Sequence, residues 1–330
     1  MLYQTLDVNI ELINFYKSFV CLVKKGEKMK SLLKKNQLIV FLYVKLKKFY
    51  YKYLLTDKQI IKKNFKQKLG RDVVLENPVK YNDKLQWLKL YWRDPLATLC
   101  ADKYEVRKYV SETIGSEYLN ELYDVYESVD EIELENLPNK FVLKGTHGAG
   151  YNIICEDKRS LNWKQEYKKM KRWLRSNYYY GNGEWVYKDI KPRIICEKYL
   201  DDGTGKPPMD YKVFCFNGEP KLIEVDIDRF GSHKRNFYDV NWQFKNVEIR
   251  VPSDKKVKIK KPKMLNEMLE LSKRLSKNFP HARVDFYDVK GQIIFGEITF
   301  FHASGLGKFN PPEFEKEMGD WLKLPLKHIS

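Results

Sequence analysis

Two textures of apolar and polar positions divide the chain. From the N-terminus to about residue 135, apolar residues recur at helical spacing. Examples are Leu42-Tyr-Val-Lys-Leu-Lys-Lys-Phe-Tyr-Tyr-Lys-Tyr-Leu-Leu55, Asp83-Lys-Leu-Gln-Trp-Leu-Lys-Leu-Tyr-Trp92 and Asp102-Lys-Tyr-Glu-Val-Arg-Lys-Tyr-Val110. Helices are therefore predicted through residues 1–70 and 76–135. Beyond Lys140 the pattern changes to short β-type runs: Lys140–Lys144, Tyr151–Cys155, Pro192–Leu200, Tyr211–Phe216, Pro220–Ile227, Ala282–Tyr287 and Gln292–Phe300. Asn217-Gly218 between two of these runs is a strong hairpin signal, and the turn at Asp288–Gly291 predicts a second hairpin. Helical spacing returns at about 160–176 and 263–278. Antiparallel hairpins with segregated helices predict an α+β fold.

Composition narrows the class. A chain of 330 residues, 43% hydrophobic and 32% charged, has length for about two structural units and is neither collagen-like nor wholly disordered. The net charge is +17, which favours an anionic partner. The surplus is concentrated: residues 1–70 hold 16 Lys and no Arg against Asp7, Glu11, Glu27 and Asp57, so twelve of the seventeen charges lie there. The remaining body is nearly balanced, which argues against a nucleic-acid groove. A basic, aromatic-rich amphipathic helix over residues 1–70 fits two descriptions. It can lie on an anionic membrane surface, or pack on the domain with a solvated lysine face. Met29 is a second candidate start, which would make residues 1–28 dispensable.

Five scattered cysteines without a CxxC pair argue against a disulfide framework or a zinc site and fit a reducing compartment. The longest apolar run, Leu38–Val44, falls far short of the ~20 residues of a membrane span. The expected location is the cytoplasm, with a peripheral position on the inner membrane face where residues 1–70 meet lipid.

Three segments carry chemistry. Lys140-Phe-Val-Leu-Lys-Gly-Thr-His-Gly-Ala-Gly150 is a strand ending in Lys144 followed by a glycine loop, and such loops turn backbone N–H groups toward an anion. It lacks the GxxxxGK[ST] pattern and leads into a strand, so it is either a phosphate-binding flap or an ordinary hairpin. On the last hairpin, Arg283 and Asp285 share one strand face and Glu297 can reach it across the turn. Two hard carboxylates on one face suit a Mg²⁺ ion that also binds phosphates, and the guanidinium can stabilise a developing oxyanion. Cys196-Glu-Lys-Tyr-Leu200 ends an apolar strand with Glu197.

Taken in order, Asp102-Lys103, Lys144 with its loop, Glu197-Lys-Tyr-Leu200, Asp210-Tyr-Lys212 and Arg283-x-Asp285…Glu297 resemble the ATP-grasp superfamily, as in D-alanine–D-alanine ligases. The closer resemblance, from about residue 76 to the C-terminus, is to the TupA-like ATP-grasp family of bacterial surface-polysaccharide and teichuronopeptide biosynthesis. It implies two α+β lobes clamping ATP, divided as a basic helical region 1–75, a helical lobe 76–139, a nucleotide-binding lobe 140–209 and a C-terminal lobe 210–330 with the metal site. By the same resemblance Lys103 and Lys144 hold the phosphates, with Gly148 and Gly150 in the flap. Glu197, Lys198 and Leu200 line the adenine, Asp210 sits near the ribose, and Lys212 faces the nucleotide. Asp285 and Glu297 bind Mg²⁺. Thr299 stands where the ligases carry a metal-binding Asn, which leaves the number of ions open. His147, in the flap, is the one histidine assigned to the site, against a γ-phosphate or acceptor. His233 and His302 lie among polar loop residues.

The implied function is ATP-dependent carboxylate–amine ligation through an acyl phosphate, with Arg283 and His147 in catalytic positions. An amine donor would be joined to a uronic acid or lipid-linked glycan in capsular or related polysaccharide synthesis. Two rivals stand beside it. A glycosyltransferase would use Asp226 and Asp228 as a DxD metal site, and a non-catalytic membrane-surface protein would need only the basic helix.

Overall fold

A computed structural model describes residues 55–203, 205, 207–227 and 232–327. The chain divides into two compact units, Met1–Lys63 and Asn64–Ser330. Most of the basic helix expected over residues 1–70, and with it the membrane reading, lies outside the described residues. Within them, α1 (Asp57–Leu69) places Asp57 in its first turn and Lys66 and Lys68 in its last, each matching the helix dipole. Among the described residues no helix is long and apolar enough to cross a membrane.

In the second unit α2 (Tyr81–Tyr91) is buried on nearly every side, including Asn82, Asp83, Gln86 and Lys89. Each of these polar groups is matched. Asp83 takes a bidentate Arg71 at 2.9 and 2.8 Å, and Gln86 donates to the Gly305 carbonyl at 2.7 Å. α3 (Pro95–Ala101) starts at an Asp94 cap with Pro95 in the first turn. α4 (Val106–Thr113) follows, and the turn between these two helices carries Lys103.

A four-stranded antiparallel sheet has the order β1 (Leu122–Tyr126), β4 (Ile194–Lys198), β2 (Phe141–Gly145), β3 (Asn152–Cys155). Strand β1 falls inside the stretch expected to be helical, 76–139. Its Leu-Tyr-Asp-Val-Tyr is rich in residues that favour strands, and pairing with β4 fixes it at the sheet edge. α5 (Trp163–Leu174) inserts Met170 and Trp173 into the small core under this sheet, and α6 (Tyr179–Asn182) follows.

The larger sheet has the order β11 (Gln292–Thr299), β10 (His281–Val289), β5 (Met209–Phe216), β6 (Glu219–Ile227), β7 (Lys234–Tyr238), β8 (Phe244–Lys245), all neighbours antiparallel. The β5–β6 hairpin turns at Asn217 and Gly218, both at positive φ (50° and 81°), the conformation this dipeptide favours. A short pair, β9 (Glu248–Ile249) with β12 (Phe309–Asn310), completes the strands. α7 (Leu265–Ser276) covers one face of the large sheet and α8 (Glu313–Trp321) packs on α2. Alternation along the strands decides what lies where. Val213, Cys215, Ala282 and Val284 form the apolar face, while Asp210, Lys212, Arg283 and Asp285 emerge on the other. The four cysteines among the described residues are buried and unbridged.

Candidate active site

The polar face of the large sheet meets the four-stranded sheet at a narrow cleft bordered by Lys103, Arg107, Lys144 and Glu197 on one side and Phe295–Gly296 on the other. Lys144 leaves the end of β2 and places Nζ 2.6 Å from Glu197 Oε2, while Arg107 Nη1 lies 3.3 Å from Glu197 Oε1. Two cations thus hold a carboxylate that is only 6% exposed. Lys103 Nζ donates to the Gly148 carbonyl at 2.7 Å and stands 3.8 Å from Glu297 Oε2, so it ties the glycine loop to the last strand. Burial lowers the Lys103 pKa and the neighbouring Lys144 adds to this, against the pull of Glu297. Gly148 has to be glycine: a Cβ there would lie 2.9 Å from the Tyr151 ring and 3.0 Å from the Tyr178 ring.

On β10 and β11 the register pairs Asp285 with Glu297 and Arg283 with Thr299. Arg283 forks onto Asp285 (Nε to Oδ1 2.7 Å, Nη2 to Oδ2 2.6 Å) and reaches Glu297 Oε1 at 3.0 Å. It also donates to His302 Nδ1 at 3.0 Å. Burial raises the Asp285 pKa, and Glu297 and Asp210 add to it against the attraction of Arg283. Glu297 goes the other way. Burial opposes its ionisation, but Lys103 and Arg283 together bring it to about 2.

The two carboxylates fit a hard cation whose remaining positions are filled by phosphate oxygens and water. Among the described residues no group of three or more His, Cys, Asp or Glu is arranged to hold an ion by itself. One step further along the sheet, Lys212 is buried between Asp210 and Asp226, the latter at 2.8 Å. Asp226 also receives Arg235 Nε and His233 Nε2, each at 2.8 Å. Lys212 and Arg235 outweigh burial and hold its pKa far below the usual carboxylate range. Both oxygens of Asp226 are thus occupied, Oδ2 by Lys212 and Oδ1 by Arg235 and His233, and Asp228 of the DxD reading lies outside the described residues.

Most residues singled out from sequence come together here, but two do not reach the cleft by their side chains. His147 is buried in the small core, where Nε2 donates to the Trp173 carbonyl at 2.8 Å beside the Tyr151 ring. Its expected place against phosphate or acceptor is corrected accordingly: the loop turns the imidazole inward, and burial lowers its pKa. Lys198 is exposed and pairs with Glu121 at 3.0 Å, because alternation on β4 sends it away from Glu197. Leu200 lies just past the end of β4. Sequence reasoning missed Arg107, Arg235, His302 and Glu224. Glu224 was legible in part, since Glu224-Val-Asp226 places two carboxylates on one face of an apolar strand.

The profile of the TupA-like ATP-grasp family matches residues 83–323, which span the cleft and both sheets. The chain belongs to the TupA-like ATP-grasp family. Its α+β architecture is the ATP-grasp fold. Among solved structures, this family member resembles a D-alanine–D-alanine ligase from Bacillus anthracis, with 16% identity over 61% of this chain and 57% of that chain, and a TM-score of 0.36. It resembles the Helicobacter pylori D-alanine–D-alanine ligase at 13% identity, covering 74% and 70%, with a TM-score of 0.37. The ATP-grasp ligase PsnB, solved with a phosphomimetic variant of its minimal precursor, Mg and ADP, is 10% identical over 72% and 63%, with a TM-score of 0.39. The chain spans less than two thirds of the Bacillus anthracis ligase. No curated protein matches it.

Proposed function

We propose that this TupA-like ATP-grasp protein is an ATP-dependent carboxylate–amine ligase. One observation carries the reading: Lys103, Lys144, Arg283, Asp285 and Glu297, from four separate stretches of chain, converge on a single cleft. In this assignment Lys103 and Lys144 neutralise ATP phosphates under the Gly148–Gly150 loop. Glu197, the backbone at Lys198 and Leu200 border the base, Asp210 lies toward the ribose, and Lys212 faces the nucleotide. Asp285 and Glu297 would hold Mg²⁺, which supplies positive charge to the phosphates when bound.

A substrate carboxylate oxygen attacks the γ-phosphorus, the bond to the β–γ bridging oxygen breaks, and ADP leaves. The amine nitrogen then attacks the acyl carbon of the mixed anhydride. Arg283 faces the oxygen that gathers charge. The carbon–oxygen bond to phosphate breaks, inorganic phosphate departs, and the amine gives up its proton to solvent. The family's setting supports an amino acid as donor and a uronic acid or lipid-linked glycan as acceptor, joined at the inner face of a membrane.

The test is ADP release by the full chain with ATP, supplied with combinations of amino acids and uronic acids, with and without Mg²⁺. Release that requires Mg²⁺, an amine and a carboxylate together supports the ligase. Hydrolysis of sugar nucleotide without ATP turnover overturns it.

A further inference from the structure

A guanidinium has five N–H hydrogens and no acceptor, so its commitments can be counted. Arg283 Nε gives its hydrogen to Asp285 Oδ1. Nη2 gives one to Asp285 Oδ2 and the other toward Glu297 Oε1 and Thr299 Oγ1, at 3.0 and 3.2 Å. Nη1 gives one to His302 Nδ1 at 3.0 Å. Among the described residues no group accepts the second Nη1 hydrogen, so one donor of this buried group is left over. Asp285 fixes one edge of the plane, and His302 fixes which Nη1 hydrogen stays available.

His302 is itself tightly held. It opens the short turn His302–Gly305 just after β11, and it is only 3% exposed. The edge of Phe214 packs on it with ring centroids 4.8 Å apart. The turn continues through Ala303 and Ser304 at φ +51° and +57°, a left-handed pair that residues with a Cβ resist. It persists because α2 clamps it: Lys89 Nζ and Gln86 Nε2 donate to the Ser304 carbonyl at 2.8 and 3.0 Å, and the Ser304 hydroxyl donates to buried Glu184. Arg283 can only donate, so Nδ1 must be bare and the ring hydrogen must sit on Nε2. Nε2 has no hydrogen-bond partner among the described residues, and 3.8 Å away stands Oε2 of the wholly buried Glu224. That carboxylate favours a hydrogen on the side facing it. Burial, then Arg283 and Arg235, hold the imidazole pKa well below its usual value, so the ring stays neutral.

We propose that His302 is a positioning residue for the reaction: by accepting one Nη1 hydrogen of Arg283 it directs the remaining one to the substrate oxygen that gathers charge. This role rests on the ligase reading, in which Arg283 faces that oxygen.

Two substitutions test it. Asparagine carries its amide where imidazole carries Nδ1, and glutamine carries its amide where imidazole carries Nε2. His302→Asn therefore keeps an acceptor for Arg283, and His302→Gln displaces it. ADP release by the full chain is measured with ATP, Mg²⁺, D-glucuronic or D-galacturonic acid and each of the common amino acids in turn. His302→Gln should lower kcat about 10- to 100-fold with the KM for ATP unchanged, less than the loss from deleting an oxyanion donor outright. His302→Asn should stay within a few-fold of the parent. A merely structural polar group would not separate the two amides in this way. If the glutamine variant does not fold, His302→Ala takes its place, and its kcat should recover when imidazole is added. In ¹⁵N spectra of the histidine-labelled full chain, the signals missing from His302→Asn should report a neutral ring with its hydrogen on Nε2. Parent-like kcat in His302→Gln, equal losses in both amide variants, no recovery of His302→Ala by imidazole, or a hydrogen on Nδ1 overturns this role and leaves the ligase reading intact. A parent that releases no ADP with any pair removes the ligase reading, and this role with it.

Discussion

Replacing Lys144 by alanine separates two roles of one ammonium group: the charge it lends the fold and the charge it offers a nucleotide. Its Nζ lies 2.6 Å from Glu197 Oε2, and Arg107 holds the other oxygen at 3.3 Å. Losing the lysine leaves a nearly buried carboxylate with one cation where it had two. A hydrogen bond to a charged group contributes about 1.5–3 kcal/mol, and with Arg107 still in place the loss should fall at or just below the low end, about 1–1.5 kcal/mol. That corresponds to a fall of about 2–6 °C in Tm. The nucleotide effect is separate. With Lys103 left as the sole lysine on the phosphates, the Kd for ATP should rise by about tenfold, or about 1.4 kcal/mol.

The second substitution, Glu197→Gln, distinguishes the two effects, because a neutral amide needs no cation. In the double variant the melting temperature should recover while ATP affinity stays weak. Thermal melts and ATP calorimetry on the four proteins complete the cycle. The reasoning is refuted if Lys144→Ala binds ATP as tightly as the parent, or if Glu197→Gln restores affinity together with stability. Either result would make the glycine loop an ordinary hairpin.

Asp285→Asn and Glu297→Gln keep shape and remove an anionic ligand, so Mg²⁺-dependent ADP release should drop by about 100-fold or more with the circular dichroism unchanged. Near-normal turnover in both would remove the metal assignment. Acid should destabilise the protein through His281, whose Nε2 accepts from the Tyr81 hydroxyl at 2.9 Å and whose Nδ1 donates to the Phe300 carbonyl at 2.8 Å. Burial lowers its pKa to about 4, so between the unfolded value near 6.5 and 4 the unfolded chain binds the extra proton and stability falls as pH falls. The slope is about 1.4 kcal/mol per pH unit for this group. It should be absent in His281→Gln when denaturation midpoints are compared from pH 7 to 4. The full chain should sediment with anionic vesicles at low salt and release at high salt, each lysine near the surface contributing about 1 kcal/mol. A chain starting at Leu75 should stay in solution, and equal binding by both would assign the basic segment to packing.

Much of the local architecture was legible in the sequence because its causes are local. Asn217-Gly218 adopts positive φ at little cost, so the β5–β6 hairpin forms where the dipeptide stands. Alternation in Arg283-Val-Asp285 puts a guanidinium and a carboxylate on one face whatever the strand pairs with, and the five ordered motifs carry the family resemblance by their succession alone. Helical spacing hid β1, because an edge strand of five residues takes its stability from β4, some 70 positions later.

Tertiary structure decided the rest, by bringing together groups whose separation in sequence carries no signal. The register pairs Asp285 with Glu297, and the Lys103 ammonium reaches the Gly148 carbonyl and Glu297 across three separate segments. His147 shows the limit. A glycine loop permits either direction for the ring, and only the core built by Tyr151 and Trp173 turns it inward. Asp226 reads as an acidic motif along the strand and becomes a counter-ion once Lys212 and Arg235 close around it. The residue types available for chemistry were set along the chain. Which of them keep a free charge was set by long-range packing, because burial and pairing fix the protonation and commitment of each group only in the folded protein.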